Sequence, residues 1–397
     1  VCGPAVILVG IISFLVWILA GDAGSLPRAV QALVSVLIIA CPCALGLATP
    51  TAIMVGIGKG AQKGILIRDP AGLEKSCRID TLVFDKTGTV TVGKPEVTDV
   101  CWKQESKELK EILLGIELHS EHPLAEAVVA KLKESGLLPA PLNHFESVTG
   151  KGVVANCGET RYMTGNEELL VNSGILIGEK DREITSMWQQ EAKTIVYFAD
   201  AKEILAIIAI ADKVKASTPL AVERLKNLDI ELHMLTGDHE ITAGRVAMLS
   251  GIPRFKAKCL PADKAEYISM LQKKGRVVGM VGDGVNDSQA LAASDVSFAM
   301  GSGSDTSMEV SDMTIVSSDL NTIPAAIRLS RLTVRTIRQN LFWAFFYNLI
   351  TIPLAAGLFY PLWGIQLNPM IAGAAMALSS VSVVSNSLRL KYRRLED

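Results

Sequence analysis

The stretch Thr81-Leu82-Val83-Phe84-Asp85-Lys86-Thr87-Gly88-Thr89 decides the fold predicted for this chain. A short apolar run ends in a carboxylate and a glycine-containing turn, which is typical of a buried strand that delivers a polar side chain to the edge of a sheet. Similar apolar runs, at residues 232–235, 277–281 and 296–299, alternate with helical segments. This alternation predicts an α/β fold with a parallel sheet.

Two of the other predicted strands are also followed by polar motifs. Thr236-Gly237-Asp238 comes after one strand, and Gly282-Asp283-Gly284-Val285-Asn286-Asp287 comes after another. Because ligands bind beyond the carboxyl ends of the strands in an open α/β sheet, we expect these motifs to form one site with Asp85.

The residue types at this edge suit phosphoryl transfer. A carboxylate such as Asp85 can attack a phosphoryl group once it is aligned and the charge is neutralised. Lys264 and the hydroxyl of Thr236 are the predicted donors to the transferred group. Mg²⁺ takes oxygen ligands, and its predicted site contains Asp85, the carbonyl of Thr87, Asp283 and, in support, Asp287.

The three motifs resemble, in this order, the phosphorylation, hinge and metal signatures of the P-type ATPases. The resemblance implies a Rossmann-like phosphorylation domain of the HAD type, with an inserted α+β nucleotide-binding domain. It also implies a catalytic role for Asp238 in the hinge motif and makes Mg²⁺ and ATP the expected cofactor and substrate.

The segment 97–209 is the predicted insertion. It contains Ser120-Glu121-His122-Pro123 and Gly150-Lys151-Gly152, which alone would indicate no more than a surface histidine and a turn. By resemblance to the heavy-metal branch of the family, the residues expected to hold ATP are Glu117, His122, Gly150, Gly152 and Asn166.

Uncharged runs predict a membrane part. They cover residues 1–21, 29–58 and 339–388, and a turn at 361–366 divides the last run, so we expect four transmembrane helices, the second broken at Pro42 and Pro50. The predicted organisation is two membrane helices in 1–58, a phosphorylation domain in 59–96 and 210–334, the nucleotide-binding domain in 97–209, two membrane helices in 335–390, and a tail in 391–397.

Basic residues predict the orientation of the membrane part. They flank the last two spans as Arg328, Arg331, Arg335 and Arg338 before them and Arg389, Lys391, Arg393 and Arg394 after them. The positive-inside rule therefore places the globular part in the cytosol. A net charge of −2 gives no basic field for nucleic acid, so no nucleic-acid partner is expected.

The predicted transport site begins at Cys41-Pro42-Cys43. Thiolates favour Cu(I) and also suit Zn²⁺ and Cd²⁺, but residues 339–388 contain no acidic, basic or histidine side chain to assist a divalent ion. Tyr347-Asn348 and Met376-Ala377-Leu378-Ser379-Ser380 match the copper branch of the family. The expected Cu(I) route comprises Cys41, Cys43 and Met376, with Tyr347, Asn348 and Ser380 at or beside it.

The expected function is ATP-driven export of Cu(I), with Ag(I) also accepted, through an aspartyl phosphate on Asp85. The alternatives are a Zn²⁺/Cd²⁺ exporter and, from a different class, a membrane-tethered HAD phosphatase. A copper chaperone and membrane lipid are expected partners, and a bacterial plasma membrane is the expected location. The resemblance further implies that the earlier membrane helices and the actuator domain precede Val1, so we expect the chain to be a fragment that does not complete transport.

Overall fold

A computed structural model describes residues 2–20, 25–39, 41, 43–120, 122–191, 193–238, 240–283, 287–301, 309–364 and 367–395. The chain divides into two compact units. One contains residues 1–77 and 325–397, and the other contains residues 78–324.

The helices in the described residues, in chain order, are α1 (Cys2–Ala20), α2 (Ser25–Ile39), α3 (Cys43–Gln62), α4 (Pro70–Ser76), α5 (Lys107–Leu118), α6 (Pro123–Lys133), α7 (Glu167–Asn172), α8 (Glu179–Gln190), α9 (Thr218–Lys226), α10 (Glu240–Ser250), α11 (Pro261–Lys273), α12 (Ser288–Ala293), α13 (Thr322–Ala356), α14 (Tyr360–Trp363) and α15 (Pro369–Arg389).

The strands are β1 (Ile65–Ile67), β2 (Thr81–Asp85), β3 (Glu96–Trp102), β4 (His144–Val148), β5 (Gly152–Cys157), β6 (Thr160–Gly165), β7 (Thr194–Asp200), β8 (Ile204–Ala211), β9 (Glu231–Leu235), β10 (Arg254–Lys256), β11 (Val278–Gly282), β12 (Val296–Met300) and β13 (Met313–Ile315).

The 78–324 unit contains two sheets of different kinds. In the first, β13, β12, β11, β2, β9 and β10 follow one another in that order and pair in parallel. Strand β2 is central, with Phe84 beside Met234 on one side and Val281 on the other. Every residue of β2, β11 and β12 is buried, as the apolar runs predicted.

The second sheet interrupts the chain between β2 and β9. Its strands lie in the order β3-β8-β7-β6-β5-β4, all antiparallel, and they run from Glu96 to Ala211 in sequence. Helices α5 and α6 contribute to an apolar core that includes Leu114 and Phe198, and α7 contributes to another that includes Leu170 and Ile207. The predicted classes, a parallel α/β domain and an inserted α+β domain, are confirmed.

The other unit is mainly helical. Ser13 Oγ and Trp17 Nε1 both donate to the carbonyl of Ala356, at 2.9 and 3.1 Å, and tie α1 to the end of α13. On α3, the ammonium group of Lys59 is buried and donates to the carbonyls of Leu390, Lys391 and Arg393, just beyond or at the end of α15.

Two segments of this unit are long and apolar enough to cross a membrane, by length and composition alone. They are Ser25–Gln62, which runs through α2 and α3, and Pro369–Tyr392. Val6–Leu19 is a shorter apolar helix, and the remaining predicted span forms the second part of α13. Two of the four predicted spans thus meet the combined requirement of length and composition within the described residues.

The predicted helix break at Pro50 is wrong, because Pro50 lies inside the continuous helix α3. Proline is tolerated inside membrane helices where neighbouring helices satisfy the freed backbone groups. Pro42 falls outside the described residues.

Candidate functional site

Asp85 ends β2 at the carboxyl edge of the parallel sheet and is 5% exposed. Its Oδ2 accepts a hydrogen bond from the Thr87 amide at 2.9 Å, and the chain then turns tightly through Lys86–Val90. Its Oδ1 accepts a hydrogen bond from Lys264 Nζ at 2.5 Å. The carboxylate is therefore held by two donors at a fixed position.

Lys264 connects two of the predicted carboxylates. It lies on α11, it is 6% exposed, and Nζ also donates to Asp287 Oδ1 at 2.7 Å. Burial alone would lower the pKa of Lys264, but the negative charges of Asp85 and Asp287 outweigh burial and raise it. The lysine is thus a permanent cation between two acids.

The acidic groups are crowded. One oxygen from each of Asp85, Asp283 and Asp287 lies within 4.8 Å of the others. Burial, and then the charge of Asp287, raises the pKa of Asp85 to about 7 and that of Asp283 to about 6. One lysine does not balance three carboxylates, so the set is short of positive charge and offers the hard oxygen ligands that Mg²⁺ prefers.

Backbone approaches Asp283 closely at one point. Gly88 has a φ of +71°, and a Cβ atom at this position would lie 1.4 Å from Asp283 Oδ2. Asp283 therefore occupies the space that any other residue at position 88 would need for its side chain.

The structure adds two residues that the sequence did not single out. Lys215 is buried, and its Nζ donates to the Gly88 carbonyl at 2.5 Å. Asp212 accepts hydrogen bonds from Thr91 Oγ1 at 2.5 Å and from the Gly93 amide at 2.9 Å. Both follow β8, where the chain returns from the second sheet, and nothing in the local sequence distinguishes them from other charged residues.

The hinge motif lies beside this cluster. Thr236 is 2% exposed, and its Oγ1 accepts a hydrogen bond from the Asp238 amide at 3.1 Å, which shapes the turn. Asp238 Oδ2 pairs with Lys86 Nζ at 2.7 Å. The predicted roles of Thr236 as a donor to phosphate and of the Thr87 carbonyl as a metal ligand remain predictions.

The predicted nucleotide residues fall at two places on the second sheet domain. Glu117, near the end of α5, is 5% exposed, and burial raises its pKa to about 7. His122 is exposed and caps α6, with Nδ1 accepting from the Leu124 amide at 3.2 Å, so the other ring nitrogen, Nε2, carries the hydrogen of the neutral ring.

The other three nucleotide residues form one turn structure. Asn166 Nδ2 donates to the Gly150 carbonyl at 3.1 Å, while its Oδ1 caps α7 through the Leu169 amide. Gly152 has a φ of +145°, and a Cβ there would lie 2.2 Å from the carbonyl oxygen of Thr164. No hydrogen bond among the described residues joins this turn to Glu117 or His122.

A second candidate site is a cavity of about 20 Å³ in the helical unit, enough for roughly one atom-sized guest. Of the predicted route residues, it brings together Cys41, Tyr347, Asn348 and Met376. The full lining is Ile39, Cys41, Ala44, Leu45, Ala344, Tyr347, Asn348, Thr351, Ala375, Met376 and Ser379.

Two hydroxyl residues that the prediction did not assign to the site, Ser379 and Thr351, line the cavity. Ser379 lines it and Ser380 does not, since neighbouring residues on a helix point about 100° apart. Thr351 also lines it, one turn beyond Tyr347, whose carbonyl accepts from Thr351 Oγ1 at 2.6 Å. The side chain of Cys43 lies outside what the structure describes.

Comparison with known proteins agrees with this geometry. Residues 79–295 match the family model of haloacid dehalogenase-like hydrolases, and the chain belongs to that family. Over nearly its whole length it is similar to the P-type ATPases. It is 46% identical over 395 residues to the probable copper-transporting ATPase PacS of Synechocystis sp., covering 98% of this chain and 53% of that protein.

Other relatives broaden the range of metals. The chain is 45% identical to the silver exporting P-type ATPase of Salmonella typhimurium, covering 99% of this chain and 48% of that protein. It thus spans about half the length of these curated relatives.

Among solved structures, a zinc-transporting PIB-type ATPase in the E2.Pi state superposes with a TM-score of 0.79 at 30% identity, covering 98% of this chain and 62% of that one. The catalytic domain of the CPx-ATPase CopB-B gives a TM-score of 0.55 at 29% identity, covering 69% and 98%.

Proposed function

We propose that this chain is the catalytic and carboxy-terminal membrane part of a pump that uses ATP to export Cu(I), with Ag(I) as a second cargo. The observation that carries this proposal is the cavity, which brings the sulfur-containing side chain of Cys41 together with the Met376 thioether and the Tyr347-Asn348 pair, more than 300 residues further along the chain. Such soft ligands select Cu(I) over hard cations.

The catalytic steps are assigned to Asp85 and its neighbours. Asp85 attacks the terminal phosphoryl group of ATP, an aspartyl phosphate forms, and ADP leaves with the electrons of the broken bond. Lys264, held between Asp85 and Asp287, neutralises charge that builds up on the phosphoryl oxygens. Thr236 and Asp238 shape the adjacent turn, and Lys215 fixes the Gly88 carbonyl.

Asp85, Asp283 and Asp287 would hold Mg²⁺, with the Thr87 carbonyl as a further ligand. The ion, when bound, supplies positive charge that the crowded carboxylates lack and that the phosphates of ATP require.

ATP is assigned to the domain formed by 97–209, inserted into a phosphorylation domain of 59–96 and 210–334. The turn that Asn166 fixes at Gly150 brings backbone close to a ligand without side-chain obstruction, since nothing lies within 4 Å of a Cβ at Gly150. The exposed His122 offers its ring to the adenine, and Gly152 and Glu117 complete the proposed site.

The membrane parts are assigned to 1–58 and 335–390, followed by a short tail. The uncharged stretch 339–388 favours a monovalent cargo over Zn²⁺ or Cd²⁺. We place the pump in a bacterial plasma membrane with its catalytic unit in the cytosol, where a copper chaperone delivers the metal.

A zinc exporter is the second candidate, because the structure with the TM-score of 0.79 is zinc-transporting. ATP hydrolysis by the complete protein in lipid, measured with Cu(I), Ag(I), Zn²⁺ and Cd²⁺, separates the two. We expect stimulation by Cu(I) and Ag(I) only, lost in Cys41→Ala and Met376→Ala. Met370→Ala is the matched control, because Met370 lies on the same helix but is 81% exposed.

If Zn²⁺ stimulates ATP hydrolysis and still does so in Met376→Ala, the protein is a metal pump but Cu(I) is not its cargo. Absence of an acid-stable phosphoenzyme from ATP in the wild type, as in Asp85→Asn, would reject the pump itself.

A further inference from the structure

A buried polar network joins the three long helices beside the metal cavity. Asn340 on α13 is 1% exposed, and its amide nitrogen donates to the Ala48 carbonyl of α3 at 3.2 Å and to Ser387 Oγ of α15 at 2.8 Å. Its amide oxygen accepts from Asn386 Nδ2 at 2.8 Å. Both donor hydrogens and the acceptor of this single side chain are therefore used between helices.

A hydroxyl extends the network. Thr51 Oγ1 on α3 lies 3.1 Å from Ser387 Oγ, and Ser387, with 0% exposure, also donates to the Val383 carbonyl of its own helix at 3.0 Å. Helix α3 is thus hydrogen-bonded to α13 through Asn340, and its Thr51 hydroxyl contacts the Ser387 hydroxyl of α15.

The network and the cavity occupy the same faces of the helices. Asn340 precedes Tyr347 and Asn348 by seven and eight residues, and Ser387 follows Ser379 by eight. On α13 the lining residue Ala344 is one turn from Asn340, and on α3 Leu45 is about one turn from Ala48. On α15 the gap from Ser379 to Ser387 is about two turns.

The network itself is a poor copper site. Its atoms are amide and hydroxyl groups already bonded to one another, whereas Cu(I) prefers sulfur. Interhelical hydrogen bonds also contribute only modestly to helix association in membranes, so stability alone does not account for so complete a network. What distinguishes the network is its geometry, because it links helices α3, α13 and α15 at one position along their length.

We propose that Asn340 is a positioning residue for metal binding, resting on the proposed function. By holding Ala48 of α3 against Ser387 and Asn386 of α15, it sets the spacing of the helices that form the adjacent cavity. Release or rearrangement of these bonds changes the distance between the Cys41 side of the cavity and the Met376 side.

The test compares three variants of the complete protein in lipid. Asn340→Leu removes all the bonds of the central amide at similar volume, and Ser387→Ala removes one acceptor with minimal disturbance. Thr336→Val is the matched control, because the Thr336 hydroxyl is buried on the same helix and, among the described residues, bonds within that helix, to the Leu332 carbonyl at 2.9 Å.

The first readout is the Cu(I) concentration that gives half-maximal ATP hydrolysis, beside the metal-independent hydrolysis of p-nitrophenyl phosphate. We expect the half-maximal concentration to rise about tenfold in Asn340→Leu and less in Ser387→Ala, within the range known for residues that couple distant sites. Phosphatase activity stays constant, which a merely misfolded protein would not show.

The second readout needs no transport. After reduction, the rate at which N-ethylmaleimide labels Cys41, followed by mass spectrometry, should change at least about threefold in Asn340→Leu and Ser387→Ala and remain constant in Thr336→Val. If the wild type shows no metal stimulation, the proposed function fails, and labelling still decides the inference. Equal labelling rates in all four proteins, or an unshifted half-maximal concentration in both network variants, overturns it.

Discussion

Gly88 and Asp283 are so close that a Cβ atom on Gly88 would lie 1.4 Å from Asp283 Oδ2. The turn after Asp85 thus packs its backbone directly on a carboxylate of the neighbouring strand β11. The proposed nucleophile and a proposed metal ligand are therefore positioned by the same contact, so the proposed chemistry depends on the absence of a side chain at position 88.

Gly88→Ala should therefore lower the rate of phosphoenzyme formation at least about 10²-fold, because Asp283 or the loop must move by more than an ångström. Acid-stable ³²P incorporation from ATP measures this. Gly275→Ala is the control, because Gly275 also has a positive φ, of +81°, but open space around it. Equal losses in both variants would mean that backbone strain alone is responsible.

Lys264→Met should lower phosphorylation by about 10²- to 10³-fold, because it removes the cation between Asp85 and Asp287 and leaves the two acids to repel each other. Rapid-quench phosphorylation at saturating ATP is the measurement. Lys193→Met, which breaks ion pairs of the second sheet domain with Asp99 and Glu191, should change the rate little. A Lys264→Met enzyme with the wild-type rate would remove Lys264 from the mechanism.

Glu117 should make the second sheet domain less stable as the pH rises. Burial raises its pKa from 4.5 to about 7, so the folded state prefers the protonated acid. The resulting stability is fully present below pH 4.5 and is lost as the pH rises through 7, a difference of about 3 kcal/mol. Glu117→Gln, which stays neutral, should remove this dependence.

Hydrogen exchange of the α5 amides at pH 5.5 and 8 measures the effect, with exposed Glu134→Gln as the control. Protection of α5 that depends on pH equally in wild type and Glu117→Gln would assign the dependence to another group.

Lys59→Met should loosen the end of α15 by about 1–3 kcal/mol, because the carbonyls of Leu390, Lys391 and Arg393 lose the buried ammonium that they share. Limited proteolysis of the carboxy-terminal segment in detergent reports this as faster cleavage. The exposed lysine of the same segment, in Lys391→Met, provides the comparison. Unchanged cleavage in Lys59→Met would show that water replaces the lysine without loss.

The meeting of the proposed catalytic motifs was predictable because each motif follows a buried strand in the sequence. Once β2, β9 and β11 are parallel neighbours, Asp85, Asp238 and Asp283 must meet at one edge. Lys215 and Asp212 could not be found this way. They reach the Gly88 loop only because the chain returns from the second sheet beside it, and no periodicity or motif records that return.

The proposed metal site was also predictable only in part. The sequence predicted a route of six residues, Cys41, Cys43, Met376, Tyr347, Asn348 and Ser380, and four of them line the cavity. Ser379 rather than Ser380 lines it, a choice that depends on the rotation of α15. The Asn340 network was also missed, since an asparagine in an apolar run does not reveal which helices it will face.

The sequence by itself determined the class of fold, the order of the catalytic motifs and the chemical softness of the predicted metal site. These properties depend on local pattern and residue type, which the order of residues records directly. Tertiary structure alone decided that Lys264 donates hydrogen bonds to both Asp85 and Asp287. It also decided that Asp283 fills the space over Gly88 and that Asn340 joins three helices. Those relationships depend on distances between residues far apart in the chain, which are set only when the strands pair and the helices pack.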